Sequence, residues 1–199
     1  MHKFSKVTFI GFGLINSSLA HVFKFKSLAK ETTAFSRRKE TREKIKNLNI
    51  VDNVNDNIKE SVKDSDLIVL GVPVGAMESI VREIAPFLKS GTIVTDVGSV
   101  KKHLIDCLLP ILPSDVYFVP GHPIAGTEKS GPEAGFAELF NGRWCILTPN
   151  KNTSQEALEK VKFIWEQAGM QVATMDAEYH DRVLAITSHI PHLVAFSIV

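Results

Sequence analysis

Cysteine is scarce: Cys107 and Cys145 are the only two in 199 residues, too few for a disulfide framework, so a reducing cytoplasm is the expected setting. Neither sign of charge is in excess. Lys and Arg total 23 against 22 Asp and Glu, a net charge of +1, which leaves no basic stripe to track a nucleic-acid backbone. Long hydrophobic runs are missing too, the longest falling well short of the roughly 20 residues that span a bilayer. The opening Met1-His2-Lys3-Phe4-Ser5-Lys6 leads straight into a strand pattern without the apolar region of a signal peptide. There is no internal repeat and no low-complexity tract. What remains is 44% hydrophobic residues, enough to bury a core and to fill one domain plus part of another.

Short β-rich runs alternate with longer amphipathic ones, the pattern of βαβ units around a parallel sheet. Strands are expected near Val7 to Ile10, Thr32 to Phe35, Leu67 to Leu70, Thr92 to Thr95, Tyr117 to Val119, Cys145 to Thr148 and Gln171 to Thr174. The run from Leu67 to Val72 is wholly apolar but for Gly71, as in a strand covered on both faces, and Pro73 marks its carboxyl end. Helical spacing follows from Ala76 to Leu88, and charged helices are expected over Lys39 to Leu48 and Lys101 to Leu109. Thr153 with Glu156 matches a capping box for a helix that closes at Gly169. The boundary to a second domain falls near Met175 to Glu178, giving a dinucleotide-binding domain over 1–175 and the opening helix of another over 176–199. Leu184 to Ile186 and Leu193 to Val199 give that helix a long apolar face, to be covered by further helical chain or by a second subunit.

Gly11-Phe12-Gly13-Leu14-Ile15-Asn16 follows a strand and opens a helix. In a dinucleotide-binding turn the first glycine makes the bend, the second lets backbone approach the pyrophosphate, and the third allows close helix–strand packing. Here Asn16 holds the third place. Gly11, Gly13, Leu14 and Ile15 are therefore the candidate pyrophosphate-binding residues, against the plain alternative of a glycine turn that binds nothing. Beyond the second strand, where an NAD enzyme offers a carboxylate to the ribose hydroxyls, the chain offers Ser36-Arg37-Arg38. A hydroxyl and two guanidiniums suit a 2′-phosphate, so NADP is expected ahead of NAD; the alternative is a solvated helix start. Further on, Gly121-His122-Pro123-Ile124-Ala125-Gly126-Thr127-Glu128 sets a titratable imidazole among flexible glycines where such a sheet presents its catalytic edge, which points to a dehydrogenase.

Together, Gly-x-Gly-Leu-Ile-x-x-Ser from Gly11 to Ser18, the run from Asp96 to Lys101, the run from Gly121 to Gly131, Glu178-Tyr179-His180-Asp181-Arg182 and Ser188-His189-Ile190-Pro191-His192 resemble prephenate and arogenate dehydrogenases of tyrosine biosynthesis. The resemblance covers the whole chain in order. It implies a Rossmann-type domain followed by an all-helical dimerisation domain, and hence a homodimer. It implies oxidative decarboxylation of a cyclohexadienol with hydride transfer to NADP or NAD. His122 matches the base that accepts the hydrogen bond of the reacting hydroxyl; an imidazole, with an ordinary pKa of about 6.5, must be neutral to do so. Ser99 matches a serine that bonds the same hydroxyl and orients the histidine, and a hydroxyl there also suits an ST-turn or the N-cap of the Lys101 helix.

Glu128 matches an acid at the mouth of the site, and His180 and His192 match histidines lining the substrate pocket. The last two lie twelve positions apart, an offset of roughly 120° on one straight helix, which a bend at Pro191 would reduce. His189 and His192 have the spacing of a metal pair but lack a third ligand, so no metal is expected. The arginine that holds the ring carboxylate in the family has no match in these 199 residues. Two other readings stand beside this one. A different NADP-dependent dehydrogenase of the same plan, such as a hydroxyacid or imine reductase, would use a lysine of the helical domain in place of His122. A regulator or fragment that binds NADPH without chemistry would need only the glycine turn.

Overall fold

A computed structural model describes residues 4–189. Strands β1 (Phe4–Ile10), β2 (Ala29–Phe35), β3 (Asn53–Asn55), β4 (Leu67–Leu70), β5 (Ile93–Asp96) and β6 (Tyr117–Val119) form one sheet in the order β3-β2-β1-β4-β5-β6. Every pairing in it is parallel. Helices α1 (Leu14–Lys26), α2 (Lys39–Leu48), α3 (Ile58–Val62), α4 (Val74–Ile84) and α5 (Lys102–Leu108) make the crossovers.

Alternation along the strands decides which layer each side chain joins. Val7, Phe9, Leu67 and Val69 pack on the face covered by α1, where Phe9 meets Phe23 edge-on with ring centroids 5.6 Å apart. Ile10, Ile68, Leu70 and Val94 point the other way, into the layer under α4 and α5. All four residues of β4 are buried, as a central strand clothed on both sides requires.

Not every expected strand joins this sheet. β7 (Gly121–Pro123), β8 (Trp144–Leu147) and β9 (Gln171–Thr174) make a separate three-stranded sheet in which β7 runs antiparallel to β8 and β8 parallel to β9. Helix α6 (Gln155–Gln167) connects the last two, with Trp165 and Ile164 in the α1-side core.

Three local expectations need correction. The N-cap of α6 is Ser154, whose hydroxyl accepts from the Ala157 N–H, because the Thr153 hydroxyl already accepts from the Asn150 N–H at 2.9 Å. Helix α4 starts at Val74, before the expected Ala76, and stops at Ile84; Pro86 has no N–H to continue the ladder, and Ala85–Phe87 tightens into a 3₁₀ turn. The N-cap position of α5 is Lys101 rather than Ser99, and no side chain of its own caps that helix. The closing glycine of α6 is as expected, with Gly169 at φ 88. After β9, Asp176 caps α7 (Ala177–Leu184), which continues as a π-helical turn over Ala185–His189. Among the described residues no helix is long and apolar enough to cross a membrane.

Asn16 shows how the first helix seats without a third glycine. The side chain is buried, and its amide donates to the Gly11 carbonyl at 2.8 Å and the Val69 carbonyl at 3.2 Å, tying the turn to β1 and β4. Room comes from Gly71, where a Cβ would collide with the Asn16 amide and stand 2.9 Å from the Gly11 carbonyl. Asn16→Ala removes a donor from the half-buried Gly11 carbonyl and the buried Val69 carbonyl, so chemical denaturation should show a loss of about 1–3 kcal/mol.

Candidate active site at the carboxyl edge of the sheet

The strand order reverses between β1 and β4, so a crevice opens at their carboxyl ends, the place where doubly wound sheets take ligands. Gly11 turns the chain there at φ 80, and a Cβ on it would sit 2.5 Å from the Val72 side chain and 2.8 Å from Gly71 backbone. Gly13 differs: a Cβ there would meet nothing within 4 Å, so backbone at that point is open to an approaching group. Gly13 is also the N-cap of α1, with no side-chain cap and no acid in the first turn. The N–H groups beginning with Leu14 and Ile15, and the positive end of a 13-residue helix, thus fit a pyrophosphate.

At the end of β2, Ser36 is half-buried, and Arg37 and Arg38 are exposed. Arg42, to which sequence spacing assigned nothing, shapes this turn by donating to the Ser36 carbonyl at 3.0 Å and the Arg37 carbonyl at 2.8 Å. Arg42 also pairs with Asp56 at 3.2 Å. An open hollow of about 460 Å³ lies here, with Phe35, Arg37, Asn57 and Lys59 on its walls. Asp56 and Glu83 line it as well, and Arg37 reaches Glu83 at 3.5 Å. Acidic groups are therefore close by, brought in from α4 and the β3–α3 turn.

The imidazole of His122 sits on β7, 9% exposed, where β7 passes β5. Its position is set from beneath by a buried ion pair. Asp96 ends β5, Lys101 lies five residues later, and both side chains are fully buried and joined to each other. Asp96 accepts from the Gly98 N–H at 2.8 Å and the Gly121 N–H at 3.2 Å, while the Lys101 ammonium donates to the Gly121 carbonyl at 2.8 Å. The pair grips both polar groups of the residue before His122. Burial pushes the Asp96 carboxyl up, opposed by the Lys101 ammonium and the two N–H donors. Behind His122, its Nδ1 lies 2.9 Å from His180 Nε2, and His180 Nδ1 lies 2.8 Å from Asp181 Oδ1. Cys145, beside His122 on β8, is buried, and that burial drives its thiol far above the usual range, so it stays a neutral neighbour.

The nucleotide-binding domain model of prephenate dehydrogenase matches residues 19–174. A cyclohexadienyl dehydrogenase of Zymomonas mobilis subsp. mobilis is 41% identical over 199 residues, covering all of this chain and 68% of its own. The chain belongs to the prephenate dehydrogenase family. A prephenate dehydrogenase of Bacillus subtilis is 32% identical over 190 residues, 95% of this chain, of which the match spans about half the relative's length, 51%. Among solved structures, prephenate dehydrogenase from A. aeolicus in complex with hydroxyphenyl propionate and NAD+ superposes with a TM-score of 0.91 at 35% identity, over 98% of this chain and 68% of that one.

Within this member of the prephenate dehydrogenase family Gly11, Gly13, Leu14 and Ile15 follow β1, and His122 stands beside the end of β5, so both lie at the carboxyl edge of the six-stranded sheet. Ser99 is exposed in the loop after β5, and Glu128 is exposed in the loop after β7; the contact to His122 Nδ1 comes from His180 instead. His180 is wholly buried behind His122, against its Nδ1. His192 lies outside the described residues. Asp96, Lys101 and Asp181 lie within the sequence motifs, where spacing alone gives them no role. An Asp and a Lys flanking a glycine-containing turn at a strand's end was the one available signal.

Proposed function

We propose that the chain is the cofactor-binding and proton-handling part of an enzyme that oxidatively decarboxylates prephenate or arogenate, giving 4-hydroxyphenylpyruvate or tyrosine. The observation that carries this reading is the buried His122, held by the Asp96–Lys101 pair at the same edge of the fold as the open Gly13 turn. His122 takes the proton of the ring hydroxyl; carbon dioxide leaves as the ring becomes aromatic. A bound nicotinamide dinucleotide supplies the hydride acceptor. Gly11, Gly13 and the first N–H groups of α1 hold its pyrophosphate. The buried surroundings of His122 keep bulk water from competing for the hydroxyl proton. The helical segment that starts at Asp176 supplies the remaining substrate contacts and, with a second copy, the dimer interface.

On the same reading Ser36, Arg37 and Arg38 favour NADP, with Arg37 exchanging Glu83 for a 2′-phosphate. Charge-assisted contacts of this kind contribute about 1.5–3 kcal/mol, so Arg37→Ala combined with Arg38→Ala should raise KM for NADP roughly 10- to 100-fold and leave KM for NAD nearly unchanged. The test is a matrix of prephenate and arogenate against NAD and NADP, run on the full chain and followed by the absorbance of reduced cofactor. Turnover with NAD alone removes the role given to the two arginines, and no turnover with either ring removes the proposed activity.

A further inference from the structure

Asp181 projects from α7 onto the start of α5. Its two oxygens accept from the Lys101 N–H at 2.8 Å and the Lys102 N–H at 2.9 Å, so it supplies from another element the cap that α5 lacks. One of those oxygens also faces His180 Nδ1 at 2.8 Å, and His180 Nε2 faces His122 Nδ1 at 2.9 Å. The two imidazoles meet edge to face, with centroids 5.1 Å apart. Three functional groups from α7 and β7 thus stand in a row, and each contact admits one proton.

The carboxylate end decides where those protons lie. An ionised carboxylate only accepts, so the hydrogen between Asp181 and His180 must sit on His180 Nδ1. A neutral His180 then has a bare Nε2, which needs a donor, and the donor can only be an N–H at His122 Nδ1. His122 Nε2 is left carrying the lone pair. We infer that His180 and Asp181 are positioning residues that hold His122 in its Nδ1–H tautomer, so that Nε2 presents the acceptor for a substrate hydroxyl. The inference rests on the reading of His122 as the proton acceptor. When the substrate O–H bond breaks, the new N–H forms at Nε2, and the resulting imidazolium keeps its Nδ1 proton bonded to His180 with the Asp181 charge behind it.

The directions of the ionisations agree. Burial lowers the His180 pKa against the pull of Asp181, keeping the ring neutral, while the Lys101 and Lys102 N–H groups and His180 hold the Asp181 carboxyl below the usual range despite its partial burial. Among the described residues the groups that face His180 are Asp181 on α7, His122 on β7, Asp96 on β5 and Lys101 before α5. A second proton on His180 would turn its Nε2 into a donor, force His122 Nδ1 to accept, and move the His122 proton to Nε2. Acid therefore disables the acceptor by reversing the tautomer.

The test is histidine nitrogen NMR on the full chain labelled with ¹⁵N, read by two-bond correlations from the ring carbon-bound protons, beside steady-state kinetics. The wild-type protein should show His122 protonated at Nδ1 and bare at Nε2, with His180 protonated at Nδ1. His180→Phe removes the acceptor for that proton. It should mix the His122 tautomers and lower kcat about 10- to 100-fold, part of the roughly 10²- to 10⁴-fold a positioned acceptor contributes, while KM for the dinucleotide stays put. His180→Gln, whose amide oxygen still accepts, should recover much of the loss. A wild-type His122 protonated at Nε2 overturns the inference, and so does an unchanged tautomer and kcat in folded His180→Phe. Failure of the wild-type enzyme on both rings would instead strike the proposed activity and leave the tautomer result standing.

Discussion

Replacing His122 with asparagine should lower kcat by roughly 10²- to 10⁴-fold, the contribution of a positioned proton acceptor, and leave dinucleotide affinity intact. Asparagine is polar and smaller than histidine, so β7 keeps its place: the Gly121 backbone is held by Asp96 and Lys101, not by the imidazole. What is lost is a nitrogen that takes a proton near neutral pH, since an amide does not. The glycine turn of α1 lies on other elements and is untouched, so cofactor titration by fluorescence should match wild type. Turnover within a few-fold of wild type would mean that the hydroxyl proton leaves by another route. A reductase of the same two-domain plan, with its lysine on the helical domain, would behave that way.

The largest stability effect is expected at Lys101. Lys101→Met has similar volume and removes the charge from a side chain that is 0% exposed. Asp96 would then be buried with two backbone N–H donors and no cation. Breaking a buried pair from one side costs about 3–5 kcal/mol, on the order of 10 °C in Tm for a chain of this size. The Gly121 carbonyl also loses its donor, so residual activity in the folded fraction should fall through misplacement of His122. Asp96→Asn added to Lys101→Met removes the stranded charge and should regain part of the loss. The coupling in that double-mutant cycle measures the pair directly. A single substitution costing less than about 1 kcal/mol, the scale of an exposed pair, would show that the pair does not hold the loop.

The parts of the fold that read clearly from sequence are those where one local pattern decides the outcome. The apolar run from Leu67 to Leu70 could only be a strand covered on both faces, and the glycines at 11 and 13 could only sit in a turn between strand and helix. β7 was invisible because glycine and proline are poor strand residues; it exists through pairing with β8, whose residues are more than 20 positions away. Without β7 there was no reason to divide the strands into two sheets. The capping hydroxyl of α6 slipped from Thr153 to Ser154 because two adjacent hydroxyls compete and only the turn at Asn150 shows which is engaged. The family resemblance sets His180 on the pocket wall, and helical spacing relates it to His192. Its actual partner is 58 residues away on another element, a relation no helical period contains. Glu83 likewise reaches the β2 turn from α4, a helix that sequence order keeps apart, whereas Arg42 folds back on the turn from the helix that directly follows it.

The central claim is that His122 Nε2 receives the hydroxyl proton of the ring. The most direct measurement is a crystal structure of the full chain with NADP+ and a phenolic product analogue. The expected result is the phenolic oxygen within about 2.6–3.2 Å of His122 Nε2, with His180 still bonded to Nδ1. An imidazole turned away from the ligand, or a hydroxyl bonded only to other groups, would contradict the account.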